Sequence, residues 1–363
     1  MVTEQQILTA LKGVVMPDLQ KDIVTLDMVK QMVINGTKLD FTVILPPAAT
    51  EAKGMLEEKI MAALRTVPDI TDVSVRFTTE VPRDGRLMGK TSIGVRNTIA
   101  VASGKGGVGK STMSTNLAIS LALDGAKVGL LDADIYGPNV PLMMGINERP
   151  KGGGGQQIQP LEAYGVKLMS MGFLVNPGDA LIWRGPMVHN ALRQFLEEID
   201  WQGLDYLVVD LPPGTGDVSL SLSQSVGLTG AVIVTTPQKV ALSDVVRGVG
   251  MFKQLEVPIL GVIENMSYFE APDTGKRHYI FGNGGGVNMA QEAGIDFLGE
   301  VPLEPDVRIG GDEGQPIVVR DPASTAAQSI RVIARKVAAE VAARNLAQES
   351  GSGQSEPTLS ILN

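Results

Sequence analysis

Residues 99–112 read IAVASGKGGVGKST, and no other stretch limits the fold so tightly. An apolar run enters a glycine-rich turn, and the chain leaves it through MSTNLAISLA, residues 113–122, which reads as a helix. Gly104 to Ser111 fits G-x-x-x-x-G-K-[ST], the phosphate-binding loop. Gly104, Gly106, Gly107 and Gly109 let backbone N–H groups curl around phosphate without a side-chain clash, and Lys105, Val108 and Thr112 belong to the same cradle. The helix N-terminus behind it adds partial positive charge. Lys110 has the reach for the β- and γ-phosphates, and the Ser111 hydroxyl is placed to ligate Mg²⁺. A glycine-rich surface loop matching by chance would have no reason to lie between a strand and a helix.

The rest of the composition removes classes of function. The 363 residues suffice for two or three domains and a sizeable core. A net charge of −9 argues against general nucleic-acid binding, which needs a basic face. No uncharged apolar run is long enough to span a membrane, and the N-terminus MVTEQQILTALKGVV has no basic region ahead of an apolar core. A cytoplasmic protein is expected, with neither nucleic acid nor membrane among its partners. The chain has no cysteine, which excludes disulfides, a cysteine nucleophile and any thiolate metal site of its own. Its two histidines, His189 and His278, cannot make a histidine-rich metal site.

Along the chain, residues 1–82 read as a small α/β domain. Thr3 caps a helix over 4–12, residues 24–29 with Val33 alternate loosely, 38–45 alternate well as a strand, 53–66 have helical spacing, and 73–77 close as a strand. Residues 83–96 are polar and glycine-rich and read as a linker. Residues 97–347 form the main domain. Its strands are expected as short apolar runs over 98–102, 128–131, 166–169, 206–209, 230–235 and 259–263, with Val301 in a possible last one. Helices are expected between them over 111–124, 187–198, 219–226, 241–255 and 287–293, and an alanine-rich helix over 325–347. This alternation predicts an α/β fold with a doubly wound, mostly parallel sheet. The tail 348–363, rich in Ser, Gly and Gln, is expected to be disordered at least in part.

Three further strand ends carry polar groups toward the phosphate loop. The second strand ends in LLDADIYGPN, putting Asp132 and Asp134 where a doubly wound fold binds its ligand, on a strand read as lying beside that of the loop. One carboxylate suits orienting an attacking water and the other an outer-shell Mg²⁺ water, while Asp132 also suits a turn cap. In YLVVDLPPGTGD, four apolar residues and then Asp210 form a Walker B pattern, whose carboxylate anchors Mg²⁺ through water. Gly214 in the same stretch can turn its N–H toward a γ-phosphate. Asn265, at the end of a later strand, has an amide that both donates and accepts, as reading a purine edge requires; it equally suits a turn.

GKGGVGKST, with Lys105 directly after the first glycine, resembles the deviant P-loop of the ATPases that include the nitrogenase iron protein, MinD and the Mrp/ApbC proteins. LLDADIYGPN, WRGPM, DLPPGTGD, VTTPQ, ENMSYF, FGNGGG and VPLEP extend the resemblance to the Mrp/ApbC iron–sulfur cluster carriers over nearly the whole main domain. Residues 1–82 resemble the SufT- or PaaD-like domain, through Met16-Pro17-Asp18, Asp22-Ile23-Val24 with Leu26, and Leu45-Pro46. The resemblance implies a homodimeric, slow ATPase that passes clusters to apo-iron–sulfur or assembly proteins, with ATP and Mg²⁺ as cofactors. It implies that Lys105 crosses the dimer to the partner's nucleotide, that Asp134 serves water activation and switching beside Lys110 and Lys105 as catalytic groups, and that Asn265 and the VPLEP stretch lie near adenine. Ser111, Asp132 and Asp210 are the candidate metal residues.

One departure from this family matters. The family reads NMSYF-x-C-P-x-C-G, with both cysteines ligating a cluster across the dimer, whereas this chain has Ala271 and Thr274 in those places. Alanine cannot ligate iron, and a neutral hydroxyl is a poor substitute for thiolate. A cluster held in the usual way is excluded by chemistry; Glu270, Asp273 and His278 stand nearby as other ligands, or as parts of a solvated loop. The other reading is a nucleotide-switched dimeric adaptor or regulator that has lost cluster binding.

Overall fold

The computed structural model describes residues 2–16, 21–87, 93–135, 137–152, 157–174, 197–214 and 216–352. The chain divides into two compact units, one of Met1–Gly85 with the stretch from Ala338 onward, the other of Arg86–Val337.

In the first unit Thr3 opens α1 (Glu4–Leu11) through a capping box: its hydroxyl accepts from the Gln6 N–H, and the Gln6 side chain accepts from the Thr3 N–H at 2.9 Å. Residues 24–27 form turns rather than the start of the loose strand the alternation suggests. Asp22 Oδ1 accepts from the N–H groups of Val24 (3.1 Å) and Thr25 (2.8 Å), and this local bonding replaces a sheet partner. β1 (Val29–Asn35) and β2 (Lys38–Leu45) then pair antiparallel. After α2 (Lys53–Leu64), β3 (Asp72–Thr79) runs parallel to β2, giving the order β1-β2-β3. Ile7, Leu11, Phe41, Leu56 and Ile60 share one core with Ala343 and Leu346.

The second unit runs β4 (Asn97–Ser103), α3 (Lys110–Leu123), β5 (Val128–Asp132), α4 (Val140–Met143), β6 (Leu161–Ala163), β7 (Val166–Ser170) and β8 (Tyr206–Asp210). It continues through α5 (Asp217–Val226), β9 (Gly230–Thr235), α6 (Lys239–Gln254), β10 (Ile259–Asn265) and the hairpin β11 (Phe269–Glu270) and β12 (Arg277–His278). It ends with α7 (Gly285–Ala293), β13 (Phe297–Val301), α8 (Pro305–Asp312), α9 (Ile317–Arg320) and α10 (Thr325–Ser352), whose end belongs to the first unit. The sheet order is β13-β10-β9-β4-β8-β5-β7-β6, parallel except for β6 on β7. Strands β4, β5, β8, β9 and β10 are buried at every position, as a sheet covered on both faces requires.

Three differences from the sequence reading have physical causes. β5 is not the neighbour of β4, because β8 pairs with both and lies between them. The 14-residue helix α3 is long enough to carry the chain over that gap. Ile93 and Val95, within the polar stretch 83–96, are buried in the second unit's core. The helix from Thr325 continues to Ser352, beyond the point where Ser and Gly begin to accumulate. The helix expected over 187–198 and His189 lie, up to residue 196, outside the described residues, as does the tail from 353. Among the described residues no helix is long and apolar enough to cross a membrane.

Candidate functional site

Strands β4, β5, β8 and β10 all end at the same edge of the sheet, and their ends carry the candidate residues together. β4 leads into the loop, and Gly109, the residue before α3, adopts φ +84. That left-handed conformation favours glycine, and a Cβ there would stand 2.2 Å from Asn265 Nδ2. The loop carries its first helical residue, Lys110, into the interior, where its side chain is 6 % exposed.

Lys110 is held by carboxylates. Its Nζ lies 2.8 Å from Asp210 Oδ1 and 4.0 Å from Asp134 Oδ2. Asp210 also accepts from the hydroxyls of Ser111 and Ser114, each at 2.6 Å. Thus a lysine, two serines and the Walker B aspartate form one buried polar cluster, every member satisfied by another. Gly214 donates its N–H to the Ser103 carbonyl at 2.9 Å, which ties the loop after β8 to the end of β4.

Asp132 is fully buried one strand over. Its Oδ2 accepts from Ser170 Oγ (2.9 Å) and the Val140 N–H (3.3 Å), and its Oδ1 from the Asp134 N–H (3.2 Å). Burial first, and the Asp210 carboxylate second, push the Asp132 carboxyl up to about 7. The folded chain therefore keeps a proton that the unfolded chain has released, between the ordinary carboxylate range and about pH 7. This stabilisation is complete below that window and is lost as the pH rises through about 7. Glu304, also raised by burial, acts with the same sign. The thermal midpoint of the nucleotide-free protein should fall from about pH 5 to about pH 8. A midpoint that is flat or rises across that range would mean that Asp132 titrates as an ordinary carboxylate.

Asn265 donates from Nδ2 to the Val108 carbonyl at 2.8 Å, so its amide packs against the phosphate loop itself. Beyond it opens a cavity of about 220 Å³ bounded by Gly109, Thr112, Met143, Met266, Leu303 and Arg308. Lys105 is half-buried, and its Nζ donates to Gln238 Oε1 at 3.3 Å within the same chain. The partners Ser114, Ser170 and Gln238, and Met143 in the cavity wall, were not singled out from the sequence. Only Gln238 left a signal there, as the last residue of VTTPQ.

These residues fit a nucleotide and Mg²⁺: Lys110 suits the phosphates, and Ser111 and Asp210 offer oxygens, the ligands this ion prefers. They do not fit an iron–sulfur cluster. Ala271 and Thr274 lie in a hairpin turn closed on itself, with Ala271 N–H donating to Lys276 O (3.0 Å) and Gly275 N–H to Ala271 O (2.8 Å). Glu270 pairs with Arg277 at 3.5 Å, and the Arg277 guanidinium stacks 4.1 Å from the Tyr268 ring centre. His278 is exposed on β12. Among the described residues no three of His, Asp or Glu are grouped to hold a metal ion.

A lysine kept dry between two aspartates at a helix N-terminus has one common use, the handling of phosphate, and with this sheet order it defines a P-loop NTPase. Comparison with known proteins narrows the class. A family profile described as NUBPL iron-transfer P-loop NTPase matches residues 94–338, and one described as iron-sulfur cluster assembly protein matches residues 4–77. The chain belongs to the NUBPL iron-transfer P-loop NTPase family. It is 47 % identical over 347 residues to an iron-sulfur cluster carrier protein of Synechocystis, covering 94 % of this chain and 98 % of that one. It is 54 % identical over 246 residues to the iron-sulfur cluster transfer protein NUBPL of Dictyostelium discoideum, covering 67 % and 76 %. Among solved structures, the nucleotide-binding protein of Archaeoglobus fulgidus in complex with ADP superposes with a TM-score of 0.56 at 38 % identity, covering 63 % of this chain and 90 % of that one.

Proposed function

We propose that this protein is a cytoplasmic, Mg²⁺-dependent ATPase that acts as a homodimer in iron–sulfur cluster assembly or in transfer to apo-proteins. The observation that carries the nucleotide part is Lys110 Nζ at 2.8 Å from Asp210 and 4.0 Å from Asp134. Bound phosphates would take Lys110 as their counter-charge, and Ser111 and Asp210 would then hold Mg²⁺, which neutralises charge on the phosphates. Asp134 would orient the attacking water and accept its proton as the water oxygen bonds to the γ-phosphorus and the bond to the β-phosphate's bridging oxygen breaks, releasing ADP. Adenine is the favoured base. One N–H of Asn265 Nδ2 is held by the Val108 carbonyl, and Oδ1 with the second N–H remains an acceptor and a donor, the pair that the amino group and ring nitrogen of adenine require. At 3.3 Å the bond from Lys105 to Gln238 is long for a charge-assisted one, so the lysine can leave Gln238 for the nucleotide of a second copy.

A cluster, as cargo, would have to be held by ligands that a partner supplies. The absence of cysteine and the self-closed hairpin also favour a second reading, a nucleotide-switched adaptor without cluster chemistry. Anaerobic reconstitution with iron and sulfide separates the two when run alone and with a captured apo-protein partner, at fixed ATP or ADP. The carrier reading expects a colourless protein alone and bound iron and sulfide in the ATP-dependent complex. No iron–sulfur protein among partners retained in either nucleotide state would leave the adaptor reading. A stoichiometric coloured protein on its own would overturn the argument against ligands within the chain, and Glu270, Asp273 and His278 would be the residues to change.

A further inference from the structure

The short helix α4 stands between the two ends of the site. At its start, Asp132 binds the Val140 N–H through Oδ2 and the Asp134 N–H through Oδ1. One carboxylate therefore fixes both the first residue of α4 and the backbone of Asp134. At its end, Met143 forms part of the wall of the cavity beside Asn265, together with Val307 and Arg308 of α8. Two residues beyond it, Gly145 meets Gly314 backbone to backbone. A Cβ on Gly314 would stand 2.4 Å from Gly145 Cα, and both glycines have positive φ, 68° and 71°. The Tyr164 hydroxyl donates to the Gly314 carbonyl at 2.6 Å and pins that contact.

α4 is thus tied near both ends, by a hydrogen bond at Val140 and by the close approach of Gly145 to Gly314. Close-packed contacts of this kind pass on a displacement rather than damp it. We propose that α4 couples the base cavity to Asp134, with Met143 as the positioning residue: a base seated against Met143 sets the Asp134 loop, so that turnover, and not affinity alone, depends on the base. The inference rests on the ATPase reading above. A ligand shifts such a loop only by contacting its two arrangements differently, and Met143 is the residue of α4 placed in the cavity wall to make that difference.

The test uses the full chain with two probes, ATP and inorganic tripolyphosphate, which has the phosphates without the base. In the wild type, kcat for ATP should exceed kcat for tripolyphosphate by about tenfold or more, the order of effect expected when a reacting group is slightly misplaced. Met143→Ala should bring kcat for ATP down to the tripolyphosphate value while ATP still binds. Gly314→Ala should act in the same direction by forcing the glycine contact apart; if it does not fold, Met143→Ala alone decides. Met143→Ala with a raised KM and an unchanged kcat would mean that the methionine only packs, and would overturn the coupling. Equal kcat for the two probes in the wild type would do the same. A wild type that hydrolyses neither probe would instead overturn the ATPase reading.

Discussion

Lys110→Ala is expected to lose nucleotide binding, with ATP affinity down by about a hundredfold or more, the scale of losing two charge-assisted hydrogen bonds. The substitution has a second consequence. Lys110 is the cation of a buried cluster in which Asp210 faces it at 2.8 Å and Asp134 at 4.0 Å, with Asp132 close by. Removing one partner of a buried ion pair leaves the other charge uncompensated, at a cost of about 3–5 kcal/mol. The thermal midpoint should therefore fall together with binding. Lys110→Arg separates the two effects: a cation returns to Asp210 and the midpoint recovers, while the bulkier guanidinium does not restore the fit to phosphate. The measurements are calorimetric titration with ATP and thermal unfolding of both variants. A folded Lys110→Ala chain that binds ATP like the wild type would mean that the phosphates lie somewhere other than this loop.

Lys105→Ala should behave in the opposite way, binding ATP yet hydrolysing it about 10³-fold more slowly, the scale set by cationic fingers in phosphoryl transfer. In the single chain Lys105 contacts Gln238, which offers no catalytic role. If the lysine serves the nucleotide of a second copy, Lys105→Ala and Asp134→Ala chains should complement one another. Each is expected to be inactive alone. Mixed, they form dimers in which one site combines an intact Asp134 with an intact Lys105 from the other copy, and part of the activity returns. The assay is phosphate release from each variant and from the mixture. No recovery on mixing, or normal turnover by Lys105→Ala, would mean that the lysine does not act across a dimer.

The phosphate loop and the aspartates at the strand ends were legible because their chemistry is local. A strand, a glycine turn and a helix are consecutive in the chain, and the carboxylates sit at the ends of apolar runs that have no other reason to stop there. The missing cluster ligands were legible for a simpler reason: ligation depends on residue type, and a chain without cysteine has no thiolate wherever it folds. The start of the loose strand, before Val29, was misread because alternation says nothing of the Asp22 side chain, which satisfies the backbone there before a sheet can.

Other features depended on contacts between residues far apart in the chain. Pattern alone could not reveal that β8 slips between β4 and β5, since apolar runs carry no record of their neighbours. Ser114 bonds Asp210 across 96 residues, Ser170 bonds Asp132 across 38, and Gly314 touches Gly145. None of these pairs has a spacing that periodicity can detect. Residue order and type were enough for the class of chemistry, because phosphate recognition is built from one continuous loop. The partners that hold that chemistry in place belong to the folded chain, because close packing selects them by position in space and not along the sequence.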